Sequence, residues 1–215
     1  MIRTALLATA LAVMIAPAHA LSPRPPMPLE CGGPLFGPAV THADLEAQWG
    51  KANAVFGTVP GPEGIEVQAT VLFGNDPGLR AQVWWSDEAR RASPSFVFVD
   101  GAYGENSLLA EQPSLWRGPM GIRLGMTLAE VEVLNGKPFM LYGFGWDYGG
   151  TVSSWEGGAL APSAPACSFI VRFDAQAPTE GALGDGEFAS GDAAVRAAEP
   201  RVSRIAISYA PPGEQ

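Results

Sequence analysis

Residues 127–137 read TLAEVEVLNGK, and residues 41–51 read THADLEAQWGK. One pattern is written twice, 86 positions apart. Thr41 matches Thr127, Ala43 matches Ala129, Asp44 matches Glu130, Glu46 matches Glu132, and Gly50-Lys51 matches Gly136-Lys137. Lys51 and Lys137 are the only lysines in the chain, and they fall on equivalent positions. Each copy carries the marks of a short helix. Thr127 with Glu130 three residues on is a capping box, and Thr41 with Asp44 repeats it with a shorter acid. Leu128, Val131 and Leu134 give one apolar face at helical spacing. His42, Leu45 and Gln48 are the weaker equivalent, with Trp49 beside them. Gly50 and Gly136 stand where a helix leaves through a left-handed residue, and Pro138 bars further helix. Helices of about nine residues do not stand alone in water, so each must pack on another layer.

That layer reads as sheet. VQATVLF (67–73), RAQVWWSD (80–87) and SFVFVD (95–100) come after the first helix. FMLYGF (139–144), TVSSWEG (151–157), CSFIVRFD (167–174) and VSRIAISY (202–209) come after the second. In RAQVWWSD, Arg80, Gln82, Trp84 and Ser86 alternate with Ala81, Val83 and Trp85, which predicts antiparallel sheet with one buried face. The expected fold class is α+β, built as two tandem repeats, each a short helix packed on an antiparallel sheet. The expected boundaries are a signal peptide at 1–20, a proline-rich segment at 21–36, repeat 1 at 37–110, a linker anchored by Trp116 at 111–120, and repeat 2 at 121–215. Repeat 2 carries an Ala-, Gly-, Asp- and Glu-rich insert at 177–200, with a helical stretch near Asp192 to Ala198.

The first twenty residues combine Arg3, an apolar run from Ala5 to Ala16 too short to span a bilayer, and an Ala18-His19-Ala20 cleavage site. Export to the periplasm or the medium is expected, and with it an oxidising compartment. No later apolar run reaches membrane-spanning length, so no membrane insertion is expected after cleavage. Without Arg3 the chain has 12 basic residues against 22 acidic ones, a formal charge of −10. An acidic surface repels phosphate backbones and anionic headgroups, which argues against nucleic-acid and membrane-surface roles. Cys31 and Cys167 are an even pair in that compartment; a disulfide is the default expectation, and two free thiols are the alternative.

The constellations for chemistry are thin. The exported chain has one histidine, His42, and no close cysteine pair, so no metal site is expected. A Ser-His-Asp triad would need His42, and no G-x-S-x-G elbow exists. The stretch GFGWDYGG (143–150) lacks the third glycine of a dinucleotide fingerprint, so no cofactor is expected. Asp147 and Glu156 flank aromatics, and two carboxylates hydrolyse glycosides when suitably spaced. The aromatics themselves are the best lead: Trp84, Trp85, Trp146, Tyr148 and Trp155 lie in or beside expected strands. Trp84 and Trp85 must point to opposite faces of their strand. Exposed Trp and Tyr give large contact area at little entropy loss and mark protein or sugar binding. The competing reading is that these rings fill the core.

The stretch GIRLGMTLAEVEVLNGKP (121–138) resembles the opening of the repeats in beta-lactamase inhibitor proteins, and is similar to outer-membrane assembly lipoproteins of the SmpA/OmlA type. The resemblance rests on Gly125-Met126-Thr127, Val131 and Gly136-Lys137-Pro138. The inhibitor resemblance implies two repeats whose sheets form an aromatic-rich face that grips a protein. The lipoprotein resemblance implies a scaffold, but that family needs a lipidated cysteine, and Cys31 comes after Leu29-Glu30, unsuited to lipidation. The expectation is a non-enzymatic module that binds a protein partner in the cell envelope, with Trp84, Trp85, Trp146, Asp147, Tyr148 and Trp155 as candidate contacts. The rival is an envelope carbohydrate hydrolase or sugar-binding protein using Asp147 or Glu156.

Overall fold

A computed structural model describes residues 24–104, 108–110, 114–162 and 167–209. The expected signal peptide, and part of the expected linker, lie outside these residues. In chain order the elements begin with β1 (Met27–Pro28), α1 (His42–Trp49), β2 (Ala54–Pro60), β3 (Glu66–Leu72), β4 (Ala81–Asp87) and β5 (Ala92–Asp100). Then come β6 (Trp116–Arg117), α2 (Leu128–Asn135), β7 (Met140–Tyr142), β8 (Val152–Ser154) and β9 (Cys167–Asp174). The last are β10 (Glu187–Ala189), α3 (Ala193–Ala197) and β11 (Arg201–Tyr209). The fold is α+β and mostly sheet.

Both repeated stretches form the expected helices with the same N-terminal caps, but Gly50 ends α1 at φ 84° and ψ 151°, outside the left-handed helical region expected of it. Thr41 Oγ1 accepts from the Asp44 N–H at 3.2 Å, and the Thr41 N–H donates to the Asp44 carboxylate at 2.9 Å. Thr127 and Glu130 repeat both bonds at 3.2 and 2.7 Å. Gly136 leaves α2 in the left-handed region at φ 78°, where a side chain would strain the backbone.

The strands after the two helices do not form two copies of one unit. The main sheet has six strands in the order β2-β3-β4-β5-β11-β9, every neighbouring pair antiparallel. Two long strands of the second half thus complete the sheet begun by the first half. β10-β7-β8 form a separate three-stranded sheet, and β1 pairs in parallel with β6. Alternation along each strand sorts the main sheet into two faces. On the inner face, one buried cluster joins Val83, Val97, Val171 and Ile205 to Leu45 of α1, Leu128 and Val131 of α2 and Val195 of α3. Each such side chain contributes roughly 1.5–3 kcal/mol by leaving water.

The proline-rich start is packed rather than merely extended. Leu29 and Phe36 are buried. Cys31 is disulfide-bonded to Cys167 at the start of β9, with a Cα–Cα distance of 5.7 Å. The Tyr209 hydroxyl donates to the Phe36 carbonyl and accepts from the Gly32 N–H. Trp116 is wholly buried, its indole N–H donating to the Leu79 carbonyl at 2.8 Å. The insert at 177–200 contributes β10 and α3, and it is fastened to α2. Ser190 Oγ donates to one oxygen of Glu132, and Arg196 meets the other at 2.5 Å. Among the described residues no helix is long and apolar enough to cross a membrane.

The caps carry a pH dependence. Hydrogen bonds from the Thr41 hydroxyl and then its N–H hold the Asp44 carboxyl below its usual range; for Glu130 the Thr127 N–H leads and the hydroxyl comes second. A carboxyl whose pKa is lower folded than unfolded stabilises the fold above its unfolded pKa, and loses that contribution as pH falls through the folded value. Thr127→Ala is therefore expected to lower stability by about 1 kcal/mol at neutral pH. In urea unfolding the gap to wild type should narrow below about pH 4, where the carboxyls protonate.

Candidate functional site: the open face of the main sheet

The strand register lays out the outer face of the main sheet row by row. One row across it runs Val55, Val71, Gln82, Phe98, Ala206, Ile170. The next runs Gly57, Ala69, Trp84, Phe96, Ser208, Ser168. Three aromatic rings meet where these rows cross β4 and β5. Phe96 and Phe98 stack with centroids 5.3 Å apart, and Trp84 packs edge-on to Phe98 at 4.8 Å and to Phe96 at 6.1 Å. The Arg204 guanidinium lies over the Phe98 ring at 4.9 Å and pairs with Asp100. Trp84 and both phenylalanines are half-buried, held by each other rather than by a second layer.

Alternation along β4 decides which tryptophan faces out: Ala81, Val83 and Trp85 are buried, whereas Gln82 and Trp84 are half-buried on the other face. Trp84 pairs with Phe96, but Trp85 pairs with Pro94, so the register slips between the two. Trp85 turns inward, is buried, and donates its indole N–H to Thr70 Oγ1 at 3.1 Å. Trp155 is also buried, against Phe139 at 5.2 Å. Two of the six sequence candidates are thus core residues. The other three besides Trp84 share the loop between β7 and β8. Trp146 packs edge-on between Tyr142 at 5.7 Å and Tyr148 at 5.4 Å, and its N–H donates to the Gly143 carbonyl. Tyr148 and Asp147 are exposed. Arg172, on the outer face of β9, donates to the Asp147 carbonyl at 3.1 Å and so ties this loop to the main sheet. Gly150 presses the loop against β9: its N–H donates to the Tyr142 carbonyl, and a Cβ there would sit 1.8 Å from the Phe173 oxygen.

Two shallow clefts border the aromatic cluster. One, of about 240 Å³, is lined by Asn75, Arg80, Gln82, Phe98 and Asp100 among others. The other lies between Asp100, Tyr103, Arg172, Ser203 and Arg204. Burial, and next the Asp174 carboxylate that accepts its proton, push the Tyr103 hydroxyl up to about 12, so it stays a donor. Neither cleft is lined by Asp147 or Glu156. The Glu156 carboxylate instead accepts from the Ser154 hydroxyl at 2.6 Å.

One arrangement has the outline of a catalytic triad. His42 Nδ1 lies 3.0 Å from Thr70 Oγ1, and Nε2 lies 3.3 Å from Glu46. Thr70 also accepts from the Trp85 indole N–H, so the His42 ring bridges a core hydroxyl and the Glu46 carboxylate. Thr70 is wholly buried, so no substrate reaches its hydroxyl. The chain satisfies core polar groups. Among the described residues no group of three or more His, Cys, Asp or Glu is placed to hold a metal.

Comparison with known proteins returned no match to a family model, a curated protein or a solved structure.

The burial pattern sets an optical test. Trp84→Phe and Trp146→Phe should each remove part of the acrylamide-quenchable fluorescence, whereas Trp85→Phe and Trp155→Phe should leave that part unchanged. His42→Ala should destabilise the fold by about 1–3 kcal/mol in denaturant titration, because Thr70 and Glu46 lose a buried partner.

Proposed function

We propose that the chain is a non-enzymatic protein-binding module, inhibitor-like or scaffold-like, that works in the periplasm or outside the cell. Its partner is a protein of the cell envelope, held on the outer face of the main sheet. The observation that carries this reading is the cluster of Trp84, Phe96 and Phe98, rigid and half-exposed, with Arg204 stacked on it. Aromatic and arginine side chains dominate the energetics of protein interfaces, and rings already packed together lose little freedom on binding. The disulfide between Cys31 and Cys167 fits an oxidising compartment. The matched capped helices fit an origin by tandem repeat, and their resemblance to the inhibitor repeats fits a gripping sheet face. The second aromatic group, Trp146 and Tyr148, extends the surface past Arg172.

The test begins with cross-linking and affinity capture from envelope extract by residues 21–215, then titration of the captured protein. Trp84→Ala and Phe98→Ala should each weaken binding by about 2 kcal/mol, or roughly thirtyfold, as central contacts do. Full affinity in both variants would remove the sheet face from the interface. Retention by cell-wall glycan with no protein partner would favour the carbohydrate reading instead.

A further inference from the structure

The two edges of the main sheet are finished differently. At the C-terminal end of β9 the outer edge is met: the Phe173 N–H donates to the Gly150 carbonyl, and Thr151 bridges to Arg172. Along β2 the register shows which groups remain. Phe73 N–H bonds the Asn53 carbonyl and Gly61 N–H bonds the Ile65 carbonyl, so the odd-numbered residues of β2 bond across to β3. The even-numbered residues Ala54, Phe56, Thr58 and Pro60 turn their backbone groups away from the sheet. The Ala54 N–H is used by the Gly50 carbonyl, and Pro60 has none. The N–H and C=O of Phe56 and Thr58, and the carbonyls of Ala54 and Pro60, have no partner among the described residues. The strand reads AVFGTVP; Pro60 blunts only its last position, and it carries no charge and no bulge in its pairing with β3. Sheets ordinarily blunt a free edge with charges, prolines or bulges, because an open edge is a template for another strand.

We infer that β2 is a docking edge, and that an extended segment of the partner protein adds to it as a further strand. The inference rests on the protein-binding reading but concerns a different surface from the aromatic cluster. A second copy of the chain fits the edge less well. Self-pairing about Gly57 would set Phe56 opposite Thr58 twice, giving four hydrogen bonds. The next positions would oppose Ala54 to Pro60, where neither N–H is available. Two copies also repel, each with a formal charge of −10 once Arg3 is removed with the expected signal peptide. A foreign strand has its own N–H groups for the Ala54 and Pro60 carbonyls as well.

The side chains beside the edge specify the segment. Val55 is 54% exposed on the outer face, and nothing lies within 4 Å of where a Gly57 Cβ would be. Residues opposite these two positions should be apolar, and the one opposite Gly57 large. On the other face the Arg91 guanidinium sits 4.0 Å over the Phe56 ring and has no carboxylate in ion-pair reach among the described residues. The residue opposite Phe56 should be acidic. The matching run, antiparallel to β2, is a large apolar residue, an acid and an apolar residue in succession.

The probe is the peptide acetyl-Ser-Thr-Phe-Glu-Val-Thr-Ser-amide, titrated into residues 21–215 and monitored by amide NMR. In the free protein the Phe56 and Thr58 amides should exchange fast while those of Val55 and Gly57 are protected. Saturable shifts and new protection at Phe56 and Thr58 are expected on adding peptide. The peptide with Lys for Glu should bind about tenfold more weakly, since it meets Arg91 with like charge. Val55→Lys, a surface change that leaves the ladder to β3 intact, should lose peptide binding, as should Thr58→Pro if circular dichroism shows it folded. Trp84→Ala should bind the peptide normally, so failure here and failure of the aromatic surface are read separately. No response at Phe56 and Thr58, or equal binding of the Lys peptide, would overturn the inference. So would protection that rises with protein concentration alone, which would assign the edge to a second copy.

Discussion

The insertion of β11 between β5 and β9 is the contact on which the rest of the structure depends. Arg204 to Ser208 pair with β5, and almost the whole of β11 pairs with β9. Among the described residues no other strand joins β9 to the strands of the first half. Val202, Ile205, Ala206 and Ile207 are wholly buried, so the strand supplies core as well as ladder. Tyr209 at its end holds the Phe36 carbonyl, and its β9 neighbour Cys167 holds Cys31. The N-terminal segment is thus fastened to the C-terminal strands twice. A cross-link over 136 residues is worth about 4–5 kcal/mol in the chain-entropy account. Pairings this distant in sequence fold slowly compared with helical bundles, because the connecting loops must close first.

The same strand divides the labour of the two faces. Its inward side completes the apolar cluster under the helices. Its outward side offers Arg204, which pairs with Asp100 and covers Phe98. The aromatic cluster is therefore propped from β11 without being enclosed by it. Three rings left half in water are a standing cost, which the proposed binding surface would offset.

Much of this architecture is legible locally. The caps at Thr41 and Thr127 are readable because a capping box needs only residues three apart. β9 is readable because CSFIVRFD alternates, and the disulfide because an even pair of cysteines in a chain with an expected export signal favours one. β2 does not read as a strand: Gly57 and Pro60 look like breaks, and their tolerance at an edge is a property of position, not of sequence. The merging of both halves into one sheet is equally hidden, since a duplicated helix says nothing about which strands it will share. Alternation puts Trp84 and Trp85 on opposite faces, and Trp85 shares its face with the apolar Ala81 and Val83, so it is the one that is buried, where its N–H meets Thr70. Phe96 and Phe98 are open to the same reasoning, because they alternate with Val97 and Val99.

Placing the keystone strand last among the described elements has a consequence for damaged chains. A product ended by premature termination or proteolysis before Arg201 would keep β2 to β5, both capped helices and the disulfide cysteines. It would still leave β5 and β9 as two raw edges with half a core between them. Such fragments do not fray at one end; they lose the seam, and unmatched strands of this kind seed aggregation. Any cut that removes β11 is therefore costly, however much of the rest of the chain survives it.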